Sequence, residues 1–344
     1  MSEQTIRRVV VTKPGVVEIE EAAEPVPGPG EALIGMRVVG ICGSDVHAVH
    51  GRHPFITLPY HPGHEVVGTV EATGAGVELG VGQRVVIEPI LACGACKYCR
   101  DGRYNLCATM TFFGCTAPTG GLAERFVVPA DRAVPVPDGI NDALAALIEP
   151  LSTPVHAVHL AGPDLTGKTV AILGAGTIGL LTLVAARAAG AERIAVSDTQ
   201  PAKLALARRL GAASVHDPTD TGMVDAIRAD LGTSADVVFD CVARQQTIDQ
   251  ALAIAFKGGT VVVVGVPGGP VTVALPEIQD LQVRIQGSAT YTRADVTRAI
   301  DMLAAGLVDE EDFVTARFPF DRAGDAFAEA SGGHQIKVIV TAQG

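Results

Sequence analysis

Four cysteines, Cys93, Cys96, Cys99 and Cys107, stand in the run CGACKYCRDGRYNLC with the spacing C-x2-C-x2-C-x7-C. Thiolates this close together close a tetrahedral shell around one Zn²⁺, and a shell with no open position is structural rather than catalytic. Disulfides are the competing reading, and the intracellular look of the rest of the chain weighs against them. A second donor set lies elsewhere: Cys42 in GICGSDVH, His64 and Glu65 in HPGHE, and Glu149 in LIEPLS. Thiolate, imidazole and carboxylate together make a three-ligand Zn²⁺ site with one position free for water or substrate. Spacing does not show that these four meet, and His47, His50, His53 and His61 crowd the same stretch as alternative ligands. Two cysteines are left over. Cys241 ends an apolar strand-like run and is expected to be buried and inert, and Cys115 lies in a loop with its role open.

A third constellation binds nucleotides. TVAILGAGTIG sets Gly174, Gly176 and Gly179 as G-x-G-x-x-G after an apolar strand and at the opening of a helix, with Thr177 and Ile178 inside the motif. The first glycine permits the tight turn, the second lets a pyrophosphate approach the backbone, and the third lets helix pack on strand. Asp198 ends the next strand-like run, about twenty residues on, where an acid accepts from the adenosine ribose hydroxyls. A carboxylate there repels a 2′-phosphate, and Thr199 and Gln200 supply no cation to receive one, so NAD is expected over NADP. Lys203 reaches the ribose from the same side or is a solvated helix residue.

The elements that hold these residues change character midway. Up to residue 90, short β-like runs (Arg8–Thr12, Ala32–Val39, Glu65–Ala72, Gln83–Ile87) alternate with Gly and Pro turns, which predicts a compact, antiparallel, barrel-like domain. A further strand is expected over Ala123–Val128, beyond the cysteine loop. From Lys168 strands alternate with helices of ten to fifteen residues, the mark of a doubly wound parallel sheet. A helix near Ala294–Ala305 and the strand-like KVIVTA close the chain.

At 344 residues two domains are expected, and 48% hydrophobic with 19% charged residues suits a well-buried globule. The net charge of -12 carries no basic block, which argues against nucleic acid and anionic membrane surfaces as partners. No apolar run reaches the ~18 residues needed to span a bilayer, and the N-terminal run has no signal-peptide core, so a cytoplasmic location is expected.

In this order, GICGSDVH, PGHEVVGTV, the four-cysteine lobe, LIEPLS, GAGTIG and the terminal IKVIV resemble the zinc-dependent medium-chain dehydrogenases/reductases over essentially the whole chain, and within them the polyol (sorbitol-like) dehydrogenases. The resemblance implies a GroES-like β-barrel catalytic domain (1–152 and 292–344, with a zinc lobe near 90–110) and a Rossmann NAD-binding domain (153–291). It implies two zinc ions per chain. Cys42 and His64 hold the catalytic one, with Glu149 in the slot of the third protein ligand and Glu65 able to bind directly. It also implies that Ser44 touches the substrate oxygen, that His47 passes its proton to solvent, that Thr153 lines the nicotinamide side, that Val266 contacts the cofactor, and that Lys337 lies near the pyrophosphate. Two departures matter: Thr290 stands where sorbitol-like enzymes carry an arginine beside Tyr291, and the cysteine lobe is complete.

The expected activity is NAD-dependent oxidation of a secondary alcohol of a polyol, cyclitol or similar sugar-like compound to the ketone. L-threonine 3-dehydrogenase and 2,3-butanediol dehydrogenase are alternatives, and a catalytically dead NAD-binding protein is an alternative of another class. Ser44, His47, His53 and Tyr291 are candidate polar pocket residues, with Phe55 or Phe112 opposite. The run GTVVVVGVP suits edge-strand pairing with a second copy, so a homotetramer or dimer is expected.

Overall fold

The structure, a computed structural model, describes residues 4–342. The chain divides into two compact units, Met1–Pro150 with Thr292–Gly344, and Leu151–Tyr291.

The first unit contains strands β1 (Thr5–Lys13), β2 (Val16–Ala23) and β3 (Glu31–Ile41), helix α1 (Gly43–Val49), and strands β4 (Glu65–Thr73) and β5 (Arg84–Ile87). The cysteine lobe follows, with β6 (Ile90–Leu91), helix α2 (Lys97–Arg100) and β7 (Thr111–Phe112), then β8 (Arg125–Pro129), β9 (Ala133–Pro135) and α3 (Asp142–Ala145). Helix α4 (Ile148–Ala161) carries the chain into the second unit, which contains β10 (Thr169–Leu173), α5 (Thr177–Ala188), β11 (Arg193–Ser197), α6 (Pro201–Arg209), β12 (Ser214–His216), α7 (Met223–Leu231), β13 (Ala235–Asp240), α8 (Gln245–Ile254), β14 (Ala255–Val263), α9 (Leu275–Leu281) and β15 (Arg284–Gly287). The first unit is completed by α10 (Arg293–Ala304), α11 (Glu310–Phe313), β16 (Val314–Pro319), α12 (Ala323–Ser331) and β17 (Lys337–Thr341).

In the first unit the main sheet runs β16-β17-β3-β4-β5-β9, with β8 also on β3. All pairs but one are antiparallel; β16 and β17 run parallel. Strand β3 is buried nearly throughout because β17, β4 and β8 all pair with it. Its Ile34, Met36, Val39 and Ile41 join Val66, Val85, Phe126, Phe327 and Val340 in one core. Strand β2 escapes the apolar pattern because Glu18, Glu20 and Glu21 break it. Its partner β1 holds it in register, with Arg8 opposite Glu20.

The second unit's parallel sheet has the order β12-β11-β10-β13-β14-β15. Counted from β10 this is 3-2-1-4-5-6, the arrangement whose crevice receives dinucleotides at the point where strand order reverses. Strand β10 is buried at every residue, as a strand covered on both faces is.

Candidate active site

Cys42, His64 and Glu65 are brought together by the β3–α1 turn and the start of β4. Cys42 caps α1, Glu65 opens β4 and pairs with Gly40 of β3, and the three ligand atoms lie within 4.8 Å of one another. Gly40 is required here, because a Cβ on it would stand 2.0 Å from Glu65 Oε2. The set offers one thiolate, one imidazole and one carboxylate, a donor chemistry that suits zinc with an open position. Glu149 is buried but is not in this compact group among the described residues.

Lys337, at the first position of β17, donates from Nζ to Glu65 Oε1 at 2.7 Å, to Oε2 at 2.6 Å and to the Ile41 carbonyl at 3.2 Å. Both side chains are buried. Burial pushes the Lys337 ammonium down, and the charges of Glu65, Cys42 and Glu149 more than reverse this, so it stays protonated. The residue expected beside a pyrophosphate is thus the cation that faces Glu65.

Ser44 and His47 lie three residues apart on α1 and share a face of that helix. The helix start is held by Asp45, whose Oδ2 accepts from the Cys42 N–H at 3.0 Å and whose Oδ1 accepts from the Tyr60 hydroxyl at 3.2 Å. Asp45 was not among the candidates read from sequence. Its signal is an acid at the third helical position after a capping residue. His53 Nδ1 accepts from the Phe55 and Ile56 N–H groups, each at 3.2 Å, so its proton sits on Nε2. Burial, then the neighbouring His47 and His64, hold the His53 imidazole below its usual range. Phe112 packs edge-on against the His64 ring, with centroids 5.7 Å apart.

In the lobe, Cys93, Cys96, Cys99 and Cys107 form a second compact group. Cys93 and Cys99 sulfurs are 3.9 Å apart and those of Cys96 and Cys99 3.5 Å, close to the ~3.8 Å edge of a tetrahedron with ~2.3 Å Zn–S bonds. All seven cysteines are free. Amide donors from Ala95 and Cys96 pull the Cys93 thiol down to about 6, whereas burial and the neighbouring thiols push Cys99 up to about 12. Burial pushes the Cys241 thiol up to about 12, consistent with an inert side chain.

In the second unit each glycine of the motif has its own reason. Gly174 has φ +95°, and a Cβ on Gly179 would stand 1.8 Å from the Gly174 carbonyl oxygen. Gly176 faces open space, the room a pyrophosphate needs, and as the N-cap of α5 it brings no side chain to the first turn, where Thr177 and Ile178 sit. Asp198 follows β11; its Oδ2 accepts from the Ala175 N–H at 2.7 Å and its Oδ1 from the Gln200 N–H at 2.9 Å, which orients it beside the glycine turn. Lys203 is buried on α6, Thr153 is half-buried on α4, Val266 is exposed and Tyr291 is buried. Thr290 has φ +50°, a strained backbone for a β-branched residue.

Residues 28–138 match the family described as alcohol dehydrogenase GroES-like domain, and residues 177–305 match zinc-binding dehydrogenase. A sorbitol dehydrogenase of Arabidopsis thaliana is 37% identical over 94% of this chain and 92% of its own. The chain belongs to the zinc-binding dehydrogenases. An L-idonate 5-dehydrogenase of Vitis vinifera is 36% identical to this dehydrogenase over 94% of it and 91% of its own length. Among solved structures, an alcohol dehydrogenase from Escherichia coli complexed with NADH superposes with a TM-score of 0.91 at 28% identity, covering 98% of this chain and 99% of that one. A protein from Sinorhizobium meliloti bound to NADP does so with a TM-score of 0.91 at 33% identity and the same coverage. The GroES-like match lies within the first unit, and the parallel sheet of the second has the Rossmann strand order.

Proposed function

We propose that this dehydrogenase oxidises a secondary alcohol of a polyol, cyclitol or similar sugar-like compound to the ketone, with NAD as acceptor and two zinc ions per chain. The convergence of Cys42, His64 and Glu65 within 4.8 Å, on the turn that leads into the Ser44–His47 face, carries this reading. The polyol substrates of its relatives support the substrate class.

When bound at this group, zinc lowers the pKa of a substrate hydroxyl, and NAD accepts the hydride. The residues of the chain do the rest. Cys42, His64 and Glu65 hold the metal, with Glu149 as a further carboxylate near it. Lys337 offsets the charge of Glu65, so that a second carboxylate does not leave the site anionic. Ser44 takes the hydroxyl proton and His47 passes it to solvent. Cys93, Cys96, Cys99 and Cys107 hold the structural zinc. Gly174, Gly176, Thr177, Ile178 and Gly179 receive the pyrophosphate, Asp198 and Lys203 the adenosine ribose, and Thr153 the nicotinamide side; Val266 contacts the cofactor. The absence of a cation at Thr199 and Gln200 beside Asp198 supports NAD over NADP.

Free thiolate clusters need a reducing compartment, which supports a cytoplasmic location. The run GTVVVVGVP, expected at the edge, instead forms β14, which is paired on both sides by β13 and β15 with Val261 and Val262 buried; the edge is β15, where Ile285 is exposed, and this supports a homotetramer or dimer paired along β15.

Initial rates with NAD and NADP on a panel of polyols and cyclitols, with L-threonine and 2,3-butanediol alongside, test the reading. NAD-linked turnover of a polyol is expected to exceed all others, and a preference for threonine or butanediol would overturn the substrate class. Cys42→Ala is expected to abolish turnover while NAD still binds by fluorescence titration; retained turnover would remove the metal from the reaction.

A further inference from the structure

We infer that Cys115 is a positioning residue for His64, the thiol that accepts from the ring nitrogen turned away from the metal. This rests on the zinc reading above.

A histidine that ligates zinc through one ring nitrogen donates the N–H of the other to a neighbour, which fixes both tautomer and ring orientation. Asp45 is the obvious acceptor, but its nearest oxygen is 3.7 Å from His64 Nδ1, beyond N–H···O length. Its Oδ2 accepts from the Cys42 amide and its Oδ1 from the Tyr60 hydroxyl, contacts that hold it at the start of α1. Cys115 Sγ lies 3.3 Å from the same Nδ1, within reach for sulfur. With Nδ1 turned to this sulfur, Nε2 is the nitrogen left for the metal.

The contact is built into the backbone. Gly114 has φ +73°, and a Cβ on it would stand 2.4 Å from the Gly63 carbonyl carbon and 2.6 Å from the His64 nitrogen. The loop is therefore pressed directly onto the segment that carries His64. The Cys115 N–H donates to the Phe112 carbonyl at 3.0 Å, so one short turn delivers both the sulfur and the Phe112 ring to the same imidazole. A thiol is a weaker acceptor than a carboxylate. Sulfur chemistry at Cys115 reaches the metal through His64.

The test uses full-length protein loaded with Co²⁺ at both sites and challenged with a chelator. Release from the catalytic group is followed by its d–d absorption, and the four-cysteine lobe serves as internal reference. Cys115→Ala is expected to speed release from the catalytic group by roughly tenfold or more and to leave the lobe unchanged. Cys115→Ser, which keeps an acceptor, is expected to stay near the wild-type rate. Wild-type release in both variants would overturn the inference, and so would a serine variant as fast as the alanine one, since that would mark loss of packing rather than of an acceptor. A wild-type protein that binds no metal beyond the lobe would overturn the functional reading itself and this inference with it.

Discussion

The Glu65–Lys337 pair joins two buried side chains of the first unit across its main sheet. Its partners are 272 positions apart, and each is nearly or fully inaccessible. Removing one charge from such a pair leaves the other stranded, at a cost of about 3–5 kcal/mol. Lys337→Met is therefore expected to lower the melting temperature substantially, and Glu65→Gln combined with Lys337→Met to recover part of the loss, a coupling that a thermal double-mutant cycle measures. Additive effects of the two substitutions would mean that the pair is not what holds β17 against β4 at this point. At the same scale, Asp45 and Tyr60 show why site residues are missed in a linear reading. An ordinary Asp and Tyr acquire a role only when the turn before α1 closes over them.

The turn between β10 and α5 separates two uses of glycine. At Gly179 a methyl group would meet the Gly174 carbonyl oxygen, whereas at Gly176 it would meet no protein atom within 4 Å. Gly179→Ala is expected to destabilise the Rossmann unit by about 1–3 kcal/mol through overpacking, seen in chemical denaturation. Gly176→Ala is expected to leave the melting temperature in place and to raise the NAD dissociation constant roughly tenfold or more in calorimetry. Equal effects of the two on stability would contradict the geometry. The β1–β2 hairpin contributes an acid-sensitive element. His61 Nε2 at 3.1 Å, with Arg8, holds the Glu20 carboxyl below the usual carboxylate range. A lowered pKa in the folded state means stability that is present above the ordinary value and lost as pH falls through the lower one. Glu20→Gln should thus lower the melting temperature near neutrality by about 2 °C or less, since the pair is largely exposed, and the difference should shrink as pH falls through the lowered value. A difference that grows on acidification would reverse the sign argued here.

At the scale of the catalytic unit, Glu88 ties together parts of the chain that are remote in sequence. Fully buried after β5, it accepts from the Tyr104 hydroxyl of the lobe at 2.5 Å, from Arg132 at 3.1 Å and from Arg293 at 2.6 Å. Arg293 opens α10, where the chain re-enters this unit, and its backbone N–H donates to the Tyr104 hydroxyl. Glu88→Ala is expected to cost about 3 kcal/mol, less than a fully enclosed network because Arg293 is partly exposed, and to loosen zinc retention in the lobe. Unchanged melting and unchanged zinc release would show that the lobe is held by its metal alone.

The motifs and the change from turn-rich strands to alternating strand and helix were legible in the linear chain, because each rests on local spacing: thiolates within one loop, glycines within one turn, period-2 against period-3.6 patterns. The alternation of strand and helix after Lys168, from β10 through β15, follows the expected rhythm for the same reason. Which carboxylate stands with Cys42 and His64 was open in the sequence and was decided by the pairing of Gly40 with Glu65. The setting of Lys337 against Glu65 and of Cys115 against His64 also belongs to the tertiary structure. Both contacts join segments that approach only when β17 and the loop after β7 fold back onto β4, and no periodicity in a chain records a meeting between residues so far apart.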